Sequence, residues 1–282
     1  MQKTRIALVQ MEALINNRKL NLAKIKSHVE KAARNDAHII CFPETSIHGY
    51  SKNLYKTSAE ALDETSSILS EWSRKYSICI LAGLAEKVED KKPYITHLIA
   101  TPDGNVETYR KTHLGKSEKP YFSEGSRLPV FKAPTAIIGV QICWDLHFPE
   151  ISTIMSLKGA EIIFAPHASP TIVGDRKNIW LKYLTARAYD NSVFLAACNL
   201  IGENGDGQSF CGGALVIDPK GNLIAHDFSN KEGILFADLN SDIINRVRNQ
   251  ETMSMRDSFY LESRRPELYT ELYNRGELPK QQ

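Results

Sequence analysis

Apolar and polar residues follow two recurring patterns along the chain, short apolar runs and helical repeats. Residues 5–9 and 37–42 are apolar runs of strand length, and between them Leu22, Ile25 and Val29 recur at the spacing of one helical face. The same alternation of strand and helix continues along most of the chain. It predicts an α/β fold with buried strands.

The remaining elements follow from the same patterns and from turn residues. The sequence predicts helices over residues 58–75, 150–158 and 176–190. It predicts strands over residues 77–85, 136–143, 161–165 and 192–199. It also predicts a hairpin over residues 95–111 and a second hairpin whose turn lies at residues 218–221. No linker rich in Ser, Gly or Pro and no internal repeat interrupts this order. We therefore expect a single domain over residues 1–282.

Composition and charge narrow the class of protein. The 282 residues are 42% hydrophobic and 24% charged, which is ordinary for a globular domain. A net charge of +2 gives no case for a nucleic-acid partner or an anionic membrane. No apolar run reaches the roughly 18 residues of a membrane span, and the first residues form a strand pattern rather than a signal segment. We expect a cytoplasmic protein.

The cysteines are odd in number and widely separated, which indicates free thiols in a reducing compartment rather than a disulfide framework. They are Cys41, Cys79, Cys143, Cys198 and Cys211. The chain has no Cys-x-x-Cys or His-Glu-x-x-His spacing, and its eight histidines are dispersed. The sequence therefore predicts no metal site and no cofactor.

Three reactive side chains each close a predicted strand. Cys143 ends the run at residues 136–143, Glu44 follows the strand at residues 37–42, and Lys111 ends the hairpin. Open α/β folds place their chemistry at such strand ends. A nucleophile, a base and a cation form a catalytic set, whereas an isolated cysteine such as Cys143 taken alone is more often a buried core residue.

The residues around these three positions resemble the nitrilase superfamily, the carbon–nitrogen hydrolases. The resemblance lies in Phe42-Pro43-Glu44, Tyr109-Arg110-Lys111 and Cys143-Trp144-Asp145, in this order, and extends to the segment at residues 264–269. It implies a four-layer α-β-β-α sandwich and a homo-oligomer. The polar segment at residues 253–282 would then be an arm that packs on a neighbouring subunit, although a frayed terminus has the same composition.

Residue chemistry and the resemblance together suggest a mechanism. Glu44 would accept the proton of Cys143 as the thiol attacks a carbonyl or nitrile carbon. Lys111 and the backbone N–H of Trp144 would stabilise the oxyanion. Ammonia leaves, and water activated by Glu44 hydrolyses the thioester. The resemblance also implies that Glu118 orients Lys111 and the substrate amide, although a glutamate among lysines can be a plain surface charge.

Residues next to the catalytic strand ends are expected to bind substrate. They are Tyr50, His113, Trp144, His147 and Ser169, together with Leu146 and His167. For each histidine a structural role is the alternative. Asp145 and Glu150 are expected to be structural, and Arg187 is a candidate partner for a carboxylate. The glycine-rich stretch at residues 202–207 is expected to form a mobile surface loop near the pocket mouth.

The substrate is expected to be a small linear amide or N-carbamoyl amine. Hydrolases of the superfamily that act on carbamoyl amino acids carry two arginines where this chain has Leu146 and His147. We therefore expect a neutral or amine-bearing substrate. The chain looks closest to the N-carbamoylputrescine amidases and omega-amidases. A nitrilase, an acyl transferase and a non-catalytic scaffold oligomer stay open as alternatives.

Overall fold

Two six-stranded sheets form the centre of the protein, whose computed structural model describes residues 1–52, 59–249 and 259–272. The first sheet contains, in spatial order, β14 (Gly233–Leu239), β1 (Thr4–Gln10), β2 (Ile39–Cys41), β3 (Cys79–Glu86), β4 (Tyr94–Ala100) and β5 (Val106–Arg110). The second contains β13 (Leu223–Asp227), β12 (Ala214–Ile217), β9 (Phe194–Asn199), β8 (Ile162–His167), β7 (Ile137–Val140) and β6 (Phe131–Lys132). A separate hairpin joins β10 (Ile201–Glu203) to β11 (Ser209–Cys211).

Helices cover the outer faces of the two sheets. On the first sheet lie α1 (Arg18–Ala33) and α2 (Leu62–Tyr76), and on the second lie α3 (Pro149–Leu157) and α4 (Arg176–Asn191). The inner faces meet where β1 packs against β9 and β12. This arrangement confirms the predicted four-layer α-β-β-α fold. A fifth helix, α5 (Ser241–Asn249), follows β14.

The sequence of α4, the helix next to the site, explains where the helix begins and which face it buries. The Asp175 side chain caps its first turn by accepting a hydrogen bond from the Asn178 backbone N–H, 3.0 Å away. Trp180, Leu184 and Ala188 recur every fourth residue and are fully buried against the second sheet. The spacing therefore builds one apolar face that anchors the helix.

Parallel pairing brings the strand ends together. Strands β1, β2 and β3 are parallel neighbours in the first sheet, and β7, β8 and β9 are parallel neighbours in the second. Their carboxyl ends lie at the same edge of each sheet. The segments that carry Glu44 and Cys143 therefore leave the sheets on one side of the molecule. Lys111 follows β5, which runs in the same direction as β3 because both strands pair antiparallel with β4.

The structure differs from the sequence-based elements in several places. The strand predicted up to Cys143 ends at Val140, and a 3₁₀ turn spans Cys143–His147. The helix predicted from residue 58 begins at Leu62, and residue 58 lies outside the described residues. Neither β14 nor α5 was expected. In the glycine-rich stretch at residues 202–207, the first two residues belong to β10 and the other four form the turn to β11, where residues 205–207 are exposed.

Candidate active site

The turn after β2 places Glu44 inside the molecule. Glu44 is 1% exposed, and its turn is fixed to β3 by a hydrogen bond from the Ile47 N–H to the Gly83 carbonyl oxygen at 3.0 Å. Its neighbour Thr45 has a left-handed backbone with φ of 50°. The Glu44 Oε2 accepts a hydrogen bond from the Ala168 N–H, 3.0 Å away, which joins this turn to the end of β8.

The Lys111 ammonium lies between two carboxylates. Lys111 follows β5 directly and is 1% exposed. Its Nζ donates to the Glu44 Oε1 at 2.8 Å, and to the Oε1 and Oε2 of Glu118 at 2.8 and 3.0 Å. Three buried charges thus form one cluster, in which each carboxylate is paired with the same cation.

Further donors hold Glu118. The Tyr50 hydroxyl donates to its Oε1 at 2.7 Å, and the Gly115 backbone N–H donates to its Oε2 at 2.7 Å. Asn204, in the turn between β10 and β11, holds Tyr50: its Nδ2 donates to the Tyr50 carbonyl oxygen at 2.9 Å. Glu118 is therefore a fixed part of the buried cluster and not a surface charge.

Cys143 begins the 3₁₀ turn after β7 with a left-handed backbone, φ 46°. Such a conformation is uncommon for a residue other than glycine and turns the side chain out of the strand direction. The Cys143 Sγ lies 3.8 Å from the Ser169 Oγ. Two hydrogen bonds with the Asn199 side chain hold the backbone of Ser169. The Asn199 Oδ1 accepts from the Ser169 N–H at 2.7 Å, and the Asn199 Nδ2 donates to the Ser169 carbonyl oxygen at 3.2 Å.

Asp145 joins the cysteine turn to the lysine strand. It is fully buried and accepts hydrogen bonds from the backbone N–H groups of Thr112 and His113 at 3.2 and 2.8 Å, and from the Ile142 N–H at 3.0 Å. The Tyr109 hydroxyl donates to the same carboxylate at 2.8 Å. The structural role that the sequence suggested for Asp145 therefore consists in fixing Cys143 relative to Lys111.

Burial and charge shift the pKa values of the cluster. Burial, assisted by repulsion from Glu118, raises the pKa of the Glu44 carboxyl to about 7 in spite of the attraction to Lys111. Burial alone would lower the pKa of Lys111, but Glu44 and Glu118 outweigh it and hold the pKa well above its usual range. Burial, with the negative charge of Glu44, raises the pKa of the Cys143 thiol to about 12. Near neutral pH the cysteine is therefore a protonated thiol.

These groups open into a cavity of about 500 Å³. Of the residues predicted to take part in the reaction or in binding, the cavity is lined by Glu44, Tyr50, Lys111, Glu118, Cys143, Trp144, His147, His167 and Ser169. The volume is in the range of small-molecule sites. The structure thus brings together, at one cavity, residues that lie up to 125 positions apart in the chain.

Two of the predicted binding residues lie elsewhere. The His113 ring stacks on Phe148 with ring centres 3.9 Å apart, and the ring is outside the cavity wall. Leu146 is fully buried in the core between α4 and the second sheet, because the 3₁₀ turn directs it inward. Its carbonyl oxygen accepts a hydrogen bond from the Arg187 Nε at 3.2 Å. Glu150 is exposed on α3.

Several cavity residues were not found from the sequence. Among them are Lys116, Val173, Arg176, Ile179 and Tyr183. Four of these five belong to the segment between β8 and the middle of α4, which reads as an ordinary helix start. No motif distinguishes it, because its position at the cavity depends on how α4 packs against the second sheet.

Comparison with known proteins agrees with this geometry. The family model described as carbon-nitrogen hydrolase matches residues 5–249. The chain belongs to this family. A protein of Schizosaccharomyces pombe described as a probable nitrilase is 31% identical over 96% of this chain and 98% of its own length. An omega-amidase of Danio rerio is 30% identical over 89% of this chain and 93% of its own length.

Solved structures of this carbon–nitrogen hydrolase family show the same fold. An amidase from Nesterenkonia sp. AN1 superposes with a TM-score of 0.82 at 27% identity, over 95% of this chain and 99% of its own. A cysteine-to-alanine variant of that amidase, solved in complex with butyramide, gives a TM-score of 0.81 at 27% identity over 95% and 96%. The chain is therefore a carbon–nitrogen hydrolase of the amidase type.

The part of the chain that the structure describes contains neither a membrane-spanning helix nor a cluster of metal ligands. None of the helices described in residues 1–52, 59–249 and 259–272 combines the length and the apolar character needed to cross a bilayer. In the same ranges no group of three or more His, Cys, Asp or Glu side chains is arranged to hold a metal ion.

Proposed function

We propose that this hydrolase cleaves the C–N bond of small linear amides or N-carbamoyl amines, with Cys143 as nucleophile, Glu44 as base and Lys111 as oxyanion stabiliser. The observation that carries the proposal is the buried Glu44–Lys111–Glu118 cluster in the wall of the cavity that Cys143 also lines. A cluster of three buried charges is expensive to maintain, and such clusters occur at functional sites.

The first step needs a base because the Cys143 thiol is protonated at neutral pH. With its pKa raised to about 12, only a very small fraction exists as thiolate near pH 7. Glu44, with its pKa near 7, is matched to take up and return a proton at that pH. In the proposed step the Cys143 sulfur bonds to the carbonyl carbon while its proton passes to Glu44.

The ammonium of Lys111 can stabilise the tetrahedral intermediate. Its charge persists because its pKa is held well above the usual range by the two carboxylates. A fixed cation at the developing oxyanion needs little reorganisation, and losing one such donor typically costs about 100- to 1000-fold in rate. The C–N bond then breaks as Glu44 returns the proton to nitrogen, and ammonia leaves. Water, giving a proton to Glu44, hydrolyses the thioester to the acid and restores the thiol.

Relatives support an amide as the substrate. Those described as omega-amidase, 2-oxoglutaramate amidase and deaminated glutathione amidase each align with 84% or more of this chain at 30 or 31% identity. In the Nesterenkonia amidase, a glutamate-to-glutamine variant carries the acetamide moiety of fluoroacetamide on the active-site cysteine. A nitrile would react through the same residues, so a nitrilase is the alternative reaction.

The test is ammonia release from a panel of linear amides, carbamoyl amines and nitriles. We expect release from amides or carbamoyl amines by the wild type, and a loss of at least about 1000-fold in Cys143→Ala, because the covalent route is removed. Cys211→Ala is the matched control, since Cys211 is also partly exposed but does not line the cavity.

Three outcomes separate the alternatives. Release from nitriles alone would assign the chain as a nitrilase. Release that persists in Cys143→Ala would contradict the proposed nucleophile. Absence of turnover, together with no selective alkylation of Cys143 by iodoacetamide over Cys211, would favour a non-catalytic role.

A further inference from the structure

A buried arginine without a carboxylate partner lines the cavity. Arg176, the first residue of α4, is 7% exposed, and within residues 1–52, 59–249 and 259–272 no group accepts a hydrogen bond from its Nε or Nη2. No carboxylate lies within ion-pair distance of it among the residues that the structure describes. Burying a guanidinium whose N–H donors have no acceptor costs free energy, and an acceptor that binds in the cavity would remove this cost. This side chain therefore points to an anionic occupant of the cavity.

The surroundings of Arg176 position it but do not neutralise it. Its guanidinium carbon lies 5.8 Å from the centre of the Trp180 ring, in a cation–π contact. Burial raises the pKa of Tyr183, and the charge of Arg176 opposes that rise. Burial, together with the charge of Arg176, lowers the pKa of His167 to about 3. Asp175, the adjacent acid, is engaged in capping α4 through Asn178. None of these groups supplies a counter-charge to Arg176.

The charge of the cavity wall near Arg176 differs from the charge at the Glu44–Lys111–Glu118 cluster. Glu44 and Glu118 both bind Lys111, so neither is free to pair with a second cation. Among the described residues that line the cavity, those beyond this cluster include Arg176 and Lys116 and no further carboxylate. Burial and the charges of Arg187 and Arg176 lower the pKa of His147, which disfavours its protonated form. This part of the wall is therefore net positive.

We propose that Arg176 binds a carboxylate at the end of the substrate remote from the reacting amide. The substrate class is then a linear acid amide, a dicarboxylic acid with one end amidated, and Arg176 is its specificity-determining residue. A guanidinium can donate two parallel hydrogen bonds to one carboxylate, and its Nε and Nη2 are the pair of donors left free here. The inference rests on the proposed amidase function of Cys143.

This proposal changes the substrate expected from the sequence. The absence of arginines at Leu146 and His147 led us to expect a neutral or amine-bearing substrate. An amine-bearing substrate would place a second cation beside Arg176, which is unfavourable because both carboxylates in the described part of the wall are already paired with Lys111. A carboxylate is recognised instead from α4, a part of the chain that lies 33 positions after Cys143.

The experiment compares three amides of similar length at pH 7.5: glutaramate, neutral hexanamide and cationic 5-aminopentanamide. We expect the wild type to give kcat/KM for glutaramate at least about tenfold above that for hexanamide, and to turn over 5-aminopentanamide least. Because the contact is remote from the reacting carbon, the preference should lie mainly in KM. A preference for hexanamide or 5-aminopentanamide would overturn the proposal.

Variants of Arg176 test whether this residue causes the preference for glutaramate. Arg176→Met should lower kcat/KM for glutaramate by about 10- to 100-fold and leave hexanamide within about threefold, whereas Arg176→Lys should restore part of the loss. Lys177→Met is the control, because it removes a charge from the adjacent residue, which lies outside the cavity wall. An equal loss for glutaramate and hexanamide in Arg176→Met would contradict the proposal.

A binding measurement separates this inference from the proposed function. Glutaramate binding to Cys143→Ala, measured by calorimetry, requires no turnover and should be lost in the Cys143→Ala/Arg176→Met double variant. Turnover of hexanamide without preference for glutaramate would reject the Arg176 role and keep the amidase. Binding of glutaramate without turnover of any amide would keep the Arg176 site and reject the amidase. Absence of glutaramate binding to Cys143→Ala would reject the Arg176 site.

Discussion

Single residues in the site derive their chemistry from the charges around them. Glu44 would be an ordinary carboxyl with a pKa of 4.5 in water, but burial and Glu118 raise it to about 7. Lys111 moderates the shift, and in the proposed mechanism its ammonium stabilises the oxyanion. Between pH 4.5 and 7 the folded protein binds a proton at Glu44 that the unfolded chain releases, so this group contributes stability that is lost as pH rises through that window.

The pH dependence of the reaction follows from the same shift. As the base must be deprotonated, kcat/KM for an amide should rise with pH through about 7. Glu118→Gln removes the repulsion that raises the pKa of Glu44 and should move this rise to lower pH, whatever it does to the maximal rate. The measurement is kcat/KM against pH for both proteins.

An exposed glutamate provides the control for this shift. Glu124→Gln removes a carboxylate that is exposed and pairs with Lys119 outside the cluster, and it should leave the rise where it is in the wild type. An unchanged rise in Glu118→Gln, or a move to higher pH, would be incompatible with repulsion between Glu44 and Glu118.

At the scale of elements, strand ends and the turns after them fix the site. Thr45 and Cys143 both have left-handed backbones, at φ of 50° and 46°, so the chain leaves β2 and β7 through tight turns that direct Glu44 and Cys143 toward the cavity. The Glu44 turn rests on β3 at Gly83, where an added Cβ would lie 2.5 Å from the Thr45 backbone nitrogen. Close approach of two backbones therefore requires glycine there.

Gly83→Ala should disturb the site through this contact. We expect the free energy of unfolding to fall by about 1–3 kcal/mol because the Glu44 turn is pushed away from β3. The displaced Glu44 should lower kcat by about 10- to 100-fold. Urea unfolding and steady-state kinetics measure the two effects. In Gly233→Ala, on β14, the added Cβ has no atom within 4 Å, so both quantities should stay near wild type. Equal behaviour of the two variants would argue against the close contact.

The whole molecule is organised by two sheets packed face to face, with the site at one edge of both. The segment 259–263 returns to the second sheet's helix layer, where the hydroxyls of Tyr189 and Tyr260 lie 3.0 Å apart. Beyond it, Leu268 and Leu272 are 59% and 69% exposed. Most of the predicted arm at residues 253–282 lies outside the described residues, so its packing on a neighbouring subunit stays a prediction.

That arm and the homo-oligomer can be tested together. Sedimentation velocity should give a mass that is a multiple of the 31.7 kDa chain. If the arm docks on a neighbour, Leu268→Glu combined with Leu272→Glu should reduce that mass, because charge in an apolar interface is unfavourable. Ile224→Glu, at an exposed apolar residue on β13, is the control. A monomeric wild type would reject the oligomer, and an unchanged mass in the double variant would reject the arm.

The sequence by itself determined the elements and the residues that close them. Buried strands and amphipathic helices have local patterns. Glu44 and Cys143 come after apolar runs and Lys111 comes after a hairpin strand, so all three could be predicted to lie at strand ends. The boundary at Cys143 was misplaced because Gln141 and Ile142 continue the strand pattern while Asp145, 36 positions after Tyr109 in the chain, fixes the turn.

Tertiary structure alone decided what surrounds those residues. β14 joins β1 across more than 220 positions of the chain, and no local pattern specifies such a partner. Tyr50 meets Glu118, and Arg176 reaches the cavity, only because separate elements pack against one another. Likewise His113 and Leu146 turn away from the cavity although they are neighbours of site residues. Sequence adjacency fixes where a backbone goes, but the direction of each side chain depends on the packing of distant elements.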